Sequence, residues 1–238
     1  MKVSEVIQRV QSLYSKGVQS DDSRLSSRHI YHKLLTLRSK YVSQQAKKRQ
    51  KINQWNYQIL NCVEVITVPV HQCPCIPPIG CDILRTKYPL PRPLSDLNVH
   101  LIQSVTSIDG SIIFSEIQWR EVKYKQSSKY TSNKPDFFIK DGYLYIVGVT
   151  QRLRHLQVIS VTGLFEDPVA VQSFPSKCQE DEEIEENCLS PLDMEFAVDG
   201  EFIDWIISET AEELVTFFGV QKEDLTNDTK DSVVEESK

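Results

Sequence analysis

The sequence predicts an α+β fold: a helical lobe, built from two N-terminal helices plus a C-terminal helix, joined to an antiparallel β-sandwich or barrel-like domain and ending in a flexible acidic C-terminal tail. Three observations predict it. Apolar residues recur at three- and four-residue steps near both ends of the chain, the period of a helix with one buried face. Through the middle they alternate with polar residues, and two Asp-Gly pairs, Asp109-Gly110 and Asp141-Gly142, supply the positive-φ residues of tight hairpins. The last 19 residues, 220–238, hold no aromatic residue and too few apolar ones to bury. The expected divisions are 1–53 for the N-terminal part of the lobe, 54–175 for the β domain, 176–197 for an acidic linker, 198–219 for the last helix and 220–238 for the tail.

Residues 3–16 read as a short helix, with Val3, Val6, Ile7, Val10, Leu13 and Tyr14 on one face and Gly17 closing it. A polar stretch, Ser20 to Ser23, is rich in N-cap residues. A longer helix is expected from about Ser26 to Lys51, its stripe being Ile30, Leu34, Leu37 and Tyr41, broadened by Leu35 and Val42. Beyond Val42 the chain keeps good helix formers but loses its apolar face, so its own core cannot be what supports that half. From Trp55 to Thr162 the period is two. Strands are expected around 55–70, 100–108, 112–117, 119–124, 137–139, 143–147 and 156–161, with prolines breaking regular structure between 69 and 94. Asp199 is the expected N-cap of the last helix, with Glu201 in a first turn that favours acids, and Phe202, Ile203, Ile206, Ile207, Leu214, Phe217 and Phe218 at helical spacing.

The net charge of −6 hides a strong polarity. Residues 1–58 hold 12 Lys/Arg against 3 Asp/Glu, residues 59–178 hold 12 against 10, and residues 179–238 hold 3 against 20. Three arrangements fit: solvated opposite faces, neutralisation of the two ends within one fold, or contact of the basic end of one copy with the acidic end of the next. No run approaches the ~18 uninterrupted apolar residues of a spanning helix, so no membrane partner is expected.

Of the six cysteines, Cys73 and Cys75 lie either side of Pro74, with Cys81 and His71 close by. These are zinc-ligand types, but the spacing is not that of the common fingers, which want two to four residues between paired cysteines. Free thiols are the preferred reading, and no cofactor is expected. The N-terminal residues lack the apolar block of a secretory signal, so a disulfide framework is not expected either. No phosphate-binding glycine loop, nucleophile elbow or H-E-x-x-H occurs, and the histidines and acids form no converging constellation, so the chain is expected not to be an enzyme. The basic cluster Lys47, Lys48, Arg49 and Lys51 has the chemistry to touch phosphates, which keeps a non-enzymatic nucleic-acid-binding or regulatory protein as the alternative. The favoured class is a structural subunit completed by neighbours. Its candidate contact residues are Lys47, Lys48, Arg49 and Lys51 in the helix extension, Trp205 on the last helix and Leu225, the tail's one leucine.

Several longer runs carry a resemblance: Ser20-Asp21-Asp22-Ser23-Arg24-Leu25-Ser26-Ser27-Arg28-His29-Ile30-Tyr31, then Gln54-Trp55-Asn56-Tyr57, and His71-Gln72-Cys73-Pro74-Cys75-Ile76-Pro77-Pro78-Ile79-Gly80-Cys81. Pro135-Asp136-Phe137-Phe138-Ile139 and Gly163-Leu164-Phe165-Glu166-Asp167-Pro168 complete the set. Over nearly its whole length the chain resembles tail ring proteins of crAss-like bacteriophages that infect gut Bacteroides-type hosts. More loosely it resembles the tail adaptor (tail tubular) proteins of short-tailed phages. The resemblance implies a virion tail component assembled in the host cytoplasm: a homo-oligomeric ring, typically of twelve copies, docked beneath the portal protein and against other tail ring proteins. Such a ring continues the DNA channel used in ejection and lies in non-specific proximity to genomic DNA. It implies no catalytic residues.

Overall fold

The computed structural model describes residues 1–15, 25–48, 52–69, 82–96, 99–122, 124, 134–148, 153, 155–179 and 190–218. Helix α1 (Val3–Tyr14) buries Val3, Val6, Ile7, Val10 and Tyr14, and Glu5 accepts a hydrogen bond from the Lys2 backbone N–H at 3.0 Å, satisfying a donor at its start. Helix α2 (Ser27–Lys47) begins where expected, capped by Ser26 and not by the Ser20–Ser23 stretch: the Ser26 hydroxyl accepts from the His29 N–H. Its regular part stops at Lys47, and Arg49 and Lys51 lie outside the described residues.

Among the described residues the middle of the chain makes nine strands: β1 (Gln58–Pro69), β2 (Asp82–Thr86), β3 (Ser95–Asp96), β4 (Val99–His100), β5 (Ile102–Ser107), β6 (Ile113–Glu116), β7 (Asp136–Lys140), β8 (Tyr143–Val147) and β9 (Val158–Gly163). Seven close into a barrel in the order β1-β2-β8-β7-β6-β5-β9, and β3 pairs with β4 alongside. Closure removes the exposed edges an open sheet would leave. Both Asp-Gly pairs sit at hairpin turns. Between β7 and β8, Asp141 and Gly142 take φ of 53° and 80°, the positive values a two-residue turn of this hand requires. Leu60, Val63, Val105, Phe114, Phe137, Leu144, Ile159, Val161 and Phe165 fill the interior.

Helix α3 (Pro168–Gln172) follows β9 directly, and helix α4 (Gly200–Phe218) closes the described chain. The expectation that the terminal helices share a lobe holds: one cluster unites Val6 and Val10 of α1, Ile30 and Leu34 of α2, and Ile206, Ile207 and Leu214 of α4. The segment leading into α4 is stitched to the N-terminus, Val3 N–H donating to the Met194 carbonyl and Phe196 N–H to the Met1 carbonyl, both at 2.9 Å.

Lobe and barrel meet on Arg38. This side chain sits on the apolar stripe of α2, four residues from Leu34 and Val42, and is fully buried. Its Nε donates to the Ala197 carbonyl at 2.8 Å, Nη1 to the Phe165 carbonyl at 2.7 Å and Nη2 to the Asn56 carbonyl at 3.4 Å. Burial lowers its pKa to about 10, against the opposing pull of Tyr31 and Asp167, so it remains charged at neutral pH. Asp167 also caps α3 through the Val169 N–H at 2.9 Å and accepts from the Tyr31 hydroxyl at 2.6 Å. Burial and then that bond push the Tyr31 phenol well above the ordinary value.

The structure corrects several expectations. The span 69–94 is not all loop, since Asp82–Thr86 pairs with both β1 and β8. Trp55 belongs to a 3-10 turn, Gln54–Asn56, that lifts the chain into β1. Residues 119–124 are not strand: the Glu121 N–H bonds the Gln118 carbonyl and the Tyr124 N–H the Glu121 carbonyl, a turn that buries Val122 against Val68, Ile83, Phe138, Tyr145 and Val147 on the barrel's outer surface. Strands β6 and β7 pair parallel, the one such pair among the described strands of the barrel. Helix α3 was absent from the sequence reading, although Asp167-Pro168 is a cap followed by proline at the first helical position.

The expectation of free thiols also fails at one pair. Cys62 and Cys178, 116 residues apart, form a disulfide with their Cα atoms 5.7 Å apart. The expectation rested on compartment alone, whereas the fold sets these side chains at bonding separation. Cys62 lies at a bulge in β1, between Leu60 and Val63, with φ of 56°. His71, Cys73, Cys75 and Cys81 lie outside the described residues.

Two stability measurements follow. Arg38→Ala and Arg38→Met should each lower unfolding free energy by about 3 kcal/mol or more, because both strand buried carbonyls whether or not the volume is refilled. Urea denaturation checks this, and a loss under about 1 kcal/mol for either variant would contradict it. Reducing the disulfide, or replacing it as C62S/C178S, should lower stability by up to about 5 kcal/mol, the loop-entropy value for so long a closed loop. Unfolding curves with and without reductant should separate for the native chain and coincide for the double variant.

Candidate functional site

Among the described residues, the groups with potential chemistry do not converge. No group of three or more His, Cys, Asp or Glu is placed to hold a metal ion. The β5–β6 turn opens a shallow hollow of about 460 Å³ beside His155. There Asp109 accepts from the Ser107 hydroxyl and from the Ser111 N–H at 3.2 Å, and these bonds, Ser107 first, lower its pKa to about 2. The carboxylate is an acceptor that holds the turn, and the Ser107 hydroxyl is already committed to it, so this trio lacks the serine–histidine bond nucleophilic catalysis would need.

What the lobe offers instead is contact surface. On α2, Tyr41 is followed at helical spacing by Gln45 and Lys48, and Gln45 donates to the Tyr41 hydroxyl. Tyr41 stacks on Phe202 of α4, and Trp205 meets both, at 5.6 Å edge-on to Phe202 and 6.0 Å tilted to Tyr41. Trp205 is 44% exposed although it stands next to Ile206, which is fully buried. The three side-chain rings form a ledge on the lobe surface, continued along α2 to the exposed Lys48, about 10 Å further on. Burial raises the Tyr41 pKa, and Asp199 and then Glu201 raise it further, so its hydroxyl stays protonated. Asp199 sits at the start of α4 as expected, held by Asn53 at 2.6 Å and donating its N–H to the Asn56 side chain at 3.0 Å. A second exposed pair ends α4: Phe218 packs edge-on against His29, and Phe217 lies 5.4 Å from the Lys33 ammonium.

Of the residues singled out from the sequence, Lys48 and Trp205 thus lie on one side of the lobe, and Lys47 is turned about 120° from Tyr41 around α2. Arg49, Lys51 and Leu225 are outside the described residues. Tyr41 and Phe202, read from periodicity as ordinary stripe residues, are part of the surface ledge. Arg38 was not singled out, and its signal was a cation standing inside an apolar stripe. The charge polarity is partly resolved within one chain: Arg9 pairs with Asp204 at 3.1 Å, Lys2 with Asp193 at 3.8 Å and Lys33 with Glu213. The Arg9 and Lys2 pairs are largely exposed and contribute little stability individually, whereas the Lys33–Glu213 pair is mostly buried. No helix of the described residues is long and apolar enough to cross a membrane.

Residues 5–233 match the family model described as phage tail ring protein 2, a ring component of crAss-like phages. Comparison with curated proteins finds no match.

The two adjacent α4 residues should separate folding from contact. Trp205→Ala should cost the isolated chain under about 1 kcal/mol, since nearly half the side chain is already in water. Ile206→Ala should cost about 2–5 kcal/mol through loss of burial and the cavity left behind. Equal losses in thermal or urea unfolding would mean that the ledge belongs to the core.

Proposed function

Because the chain belongs to the family of phage tail ring protein 2, we propose that it serves as a head–tail connector, or tail adaptor, of a short-tailed phage. Membership makes it a structural ring component of the virion tail. The finer reading is a homo-oligomeric ring of twelve copies that docks to the portal protein, stacks on other tail ring proteins and carries the DNA channel onward for ejection. It assembles in the host cytoplasm and has no catalytic role.

The observation that carries this reading is the aromatic ledge of Tyr41, Phe202 and Trp205, continuous with the basic end of α2. Trp and Tyr in partly exposed, pre-packed clusters are the residues that dominate subunit contacts, because they cover a large area at little cost in side-chain entropy. A ring is closed by one repeated heterologous contact, so each copy must present two different complementary surfaces. The ledge with Lys47, Lys48, Arg49 and Lys51 is one of them, and acidic C-terminal segments supply the opposite charge. The tail, 220–238 with Leu225, acts as a docking strap onto the portal or an adjoining ring. The barrel faces the next tail component.

Electron microscopy of purified chain, alone and mixed with portal protein, tests this. Closed twelvefold rings are expected. The charge-reversed variant K47E/K48E/R49E/K51E should give monomers or open arcs while its unfolding midpoint stays unchanged. Monomers that bind duplex DNA with steep salt dependence and never form rings would instead identify a nucleic-acid-binding regulator.

A further inference from the structure

A disulfide is at odds with assembly in the host cytoplasm, where thiol buffers keep cysteines reduced, yet the fold joins Cys62 to Cys178. The two sulfurs differ in a way that reconciles them. Cys62 is 6% exposed and set in the β1 bulge between Leu60 and Val63, which both face the barrel interior. Cys178 is exposed, in the 3-10 turn Lys177–Gln179 that lies against β1. A reagent in solution therefore meets one sulfur of the pair before the other.

The two residues are also held together by contacts that do not involve sulfur. Phe174, shortly before the turn, is partly buried against the barrel core, and Lys177 pairs with Glu64 of β1 at 3.6 Å. Glu64 is fixed in turn by Lys87 at 2.6 Å. On the other side of the bulge, the Ser160 hydroxyl donates to the Asn61 side chain at 3.1 Å and ties β1 to β9. These contacts keep the turn over the bulge while both cysteines are thiols. An exposed thiol standing next to a buried one is the arrangement of an entry cysteine and its resolving partner.

We propose that Cys62 and Cys178 are a dithiol while the chain assembles and close into the disulfide on release from the cell, by exchange with a small-molecule disulfide that enters at Cys178. First the Cys178 thiolate attacks one sulfur of the small disulfide, forming a mixed disulfide and expelling a thiolate. The Cys62 thiolate then attacks the Cys178 sulfur and expels the second thiolate. Two protein thiols are oxidised, one small disulfide is reduced to two thiols, and the protons lost by the cysteines pass through solvent to the leaving thiolates. Outside the cell, away from thiol buffers, the closed bond fastens the segment leaving α3 to the barrel wall. The timing rests on the cytoplasmic assembly proposed above, whereas the order of the two sulfurs rests on their burial.

Mass spectrometry of cysteine peptides tests both on the full chain. Reduced native protein is given oxidised glutathione and quenched with acid at early times. The glutathione adduct should appear on Cys178 and give way to the Cys62–Cys178 link. An adduct accumulating first on Cys62 would overturn the entry assignment. Iodoacetamide should alkylate Cys178 of the reduced protein about tenfold or more faster than Cys62, and equal rates would contradict it. The variant C62S should retain the adduct on Cys178. Loss of that adduct as fast as in wild type would remove Cys62 as the resolving thiol.

For the timing, infected cells are quenched directly into N-ethylmaleimide and compared with released particles. Both cysteines should carry maleimide in the cells and be linked in the particles. A link already complete inside cells, or free thiols in the particles, would overturn the proposal. Native protein held in dithiothreitol should form rings as completely as the oxidised protein, and rings formed only by the oxidised protein would put the bond before assembly and overturn the timing. Absence of rings in either state would overturn the ring reading, while the peptide measurements, which need no ring, still decide the exchange.

Discussion

The rest of this molecule depends on one buried guanidinium. Arg38 reaches out of the helical lobe and donates to carbonyls from three separate segments: the residues entering the barrel at Asn56, those leaving it at Phe165, and those returning to the last helix at Ala197. A buried charge is costly unless its hydrogen-bonding capacity is used, and here the carbonyls and the nearby Asp167 carboxylate offset that cost. The outcome is directional in a way apolar packing is not. Leu37 or Val42 tolerates a sliding neighbour, whereas a planar fork with named acceptors holds lobe and barrel at one angle. For a ring subunit such an angle matters, because a small error repeated around a closed ring prevents closure.

The charge polarity acts at two levels. Some of it is spent inside the chain, where Arg9, Lys2 and Lys33 meet acids from the C-terminal third, and the two exposed pairs, those of Arg9 and Lys2, add little stability. The remainder includes Lys47 and Lys48, exposed at the end of α2, which support the reading of a surface completed by neighbours.

The disulfide and the outer cluster both show the barrel being reinforced from outside its core. Cys178 is exposed, yet it fastens the chain leaving α3 to the bulge in β1, where the left-handed backbone of Cys62 turns its side chain out of the regular alternation. Val122 does the same by packing, covering Phe138 and Tyr145, which face away from the barrel interior. Without that cover, the outer side of β2, β7 and β8 would present a bare apolar surface.

By itself the sequence determined the local elements. The stripes of α1, α2 and α4, the Ser26 and Asp199 starts and both Asp-Gly turns are decided by neighbours within a few residues, so spacing and cap chemistry suffice to read them. It also indicated the lobe, because an isolated amphipathic helix must bury its stripe against another. Only the tertiary structure decided the role of Arg38, the Cys62–Cys178 bond, the parallel β6–β7 pair, the strand at Asp82–Thr86 and the ledge of Tyr41, Phe202 and Trp205. Each depends on groups far apart in the chain meeting in space, and a period of two or of 3.6 carries no information about which distant partner a side chain will meet.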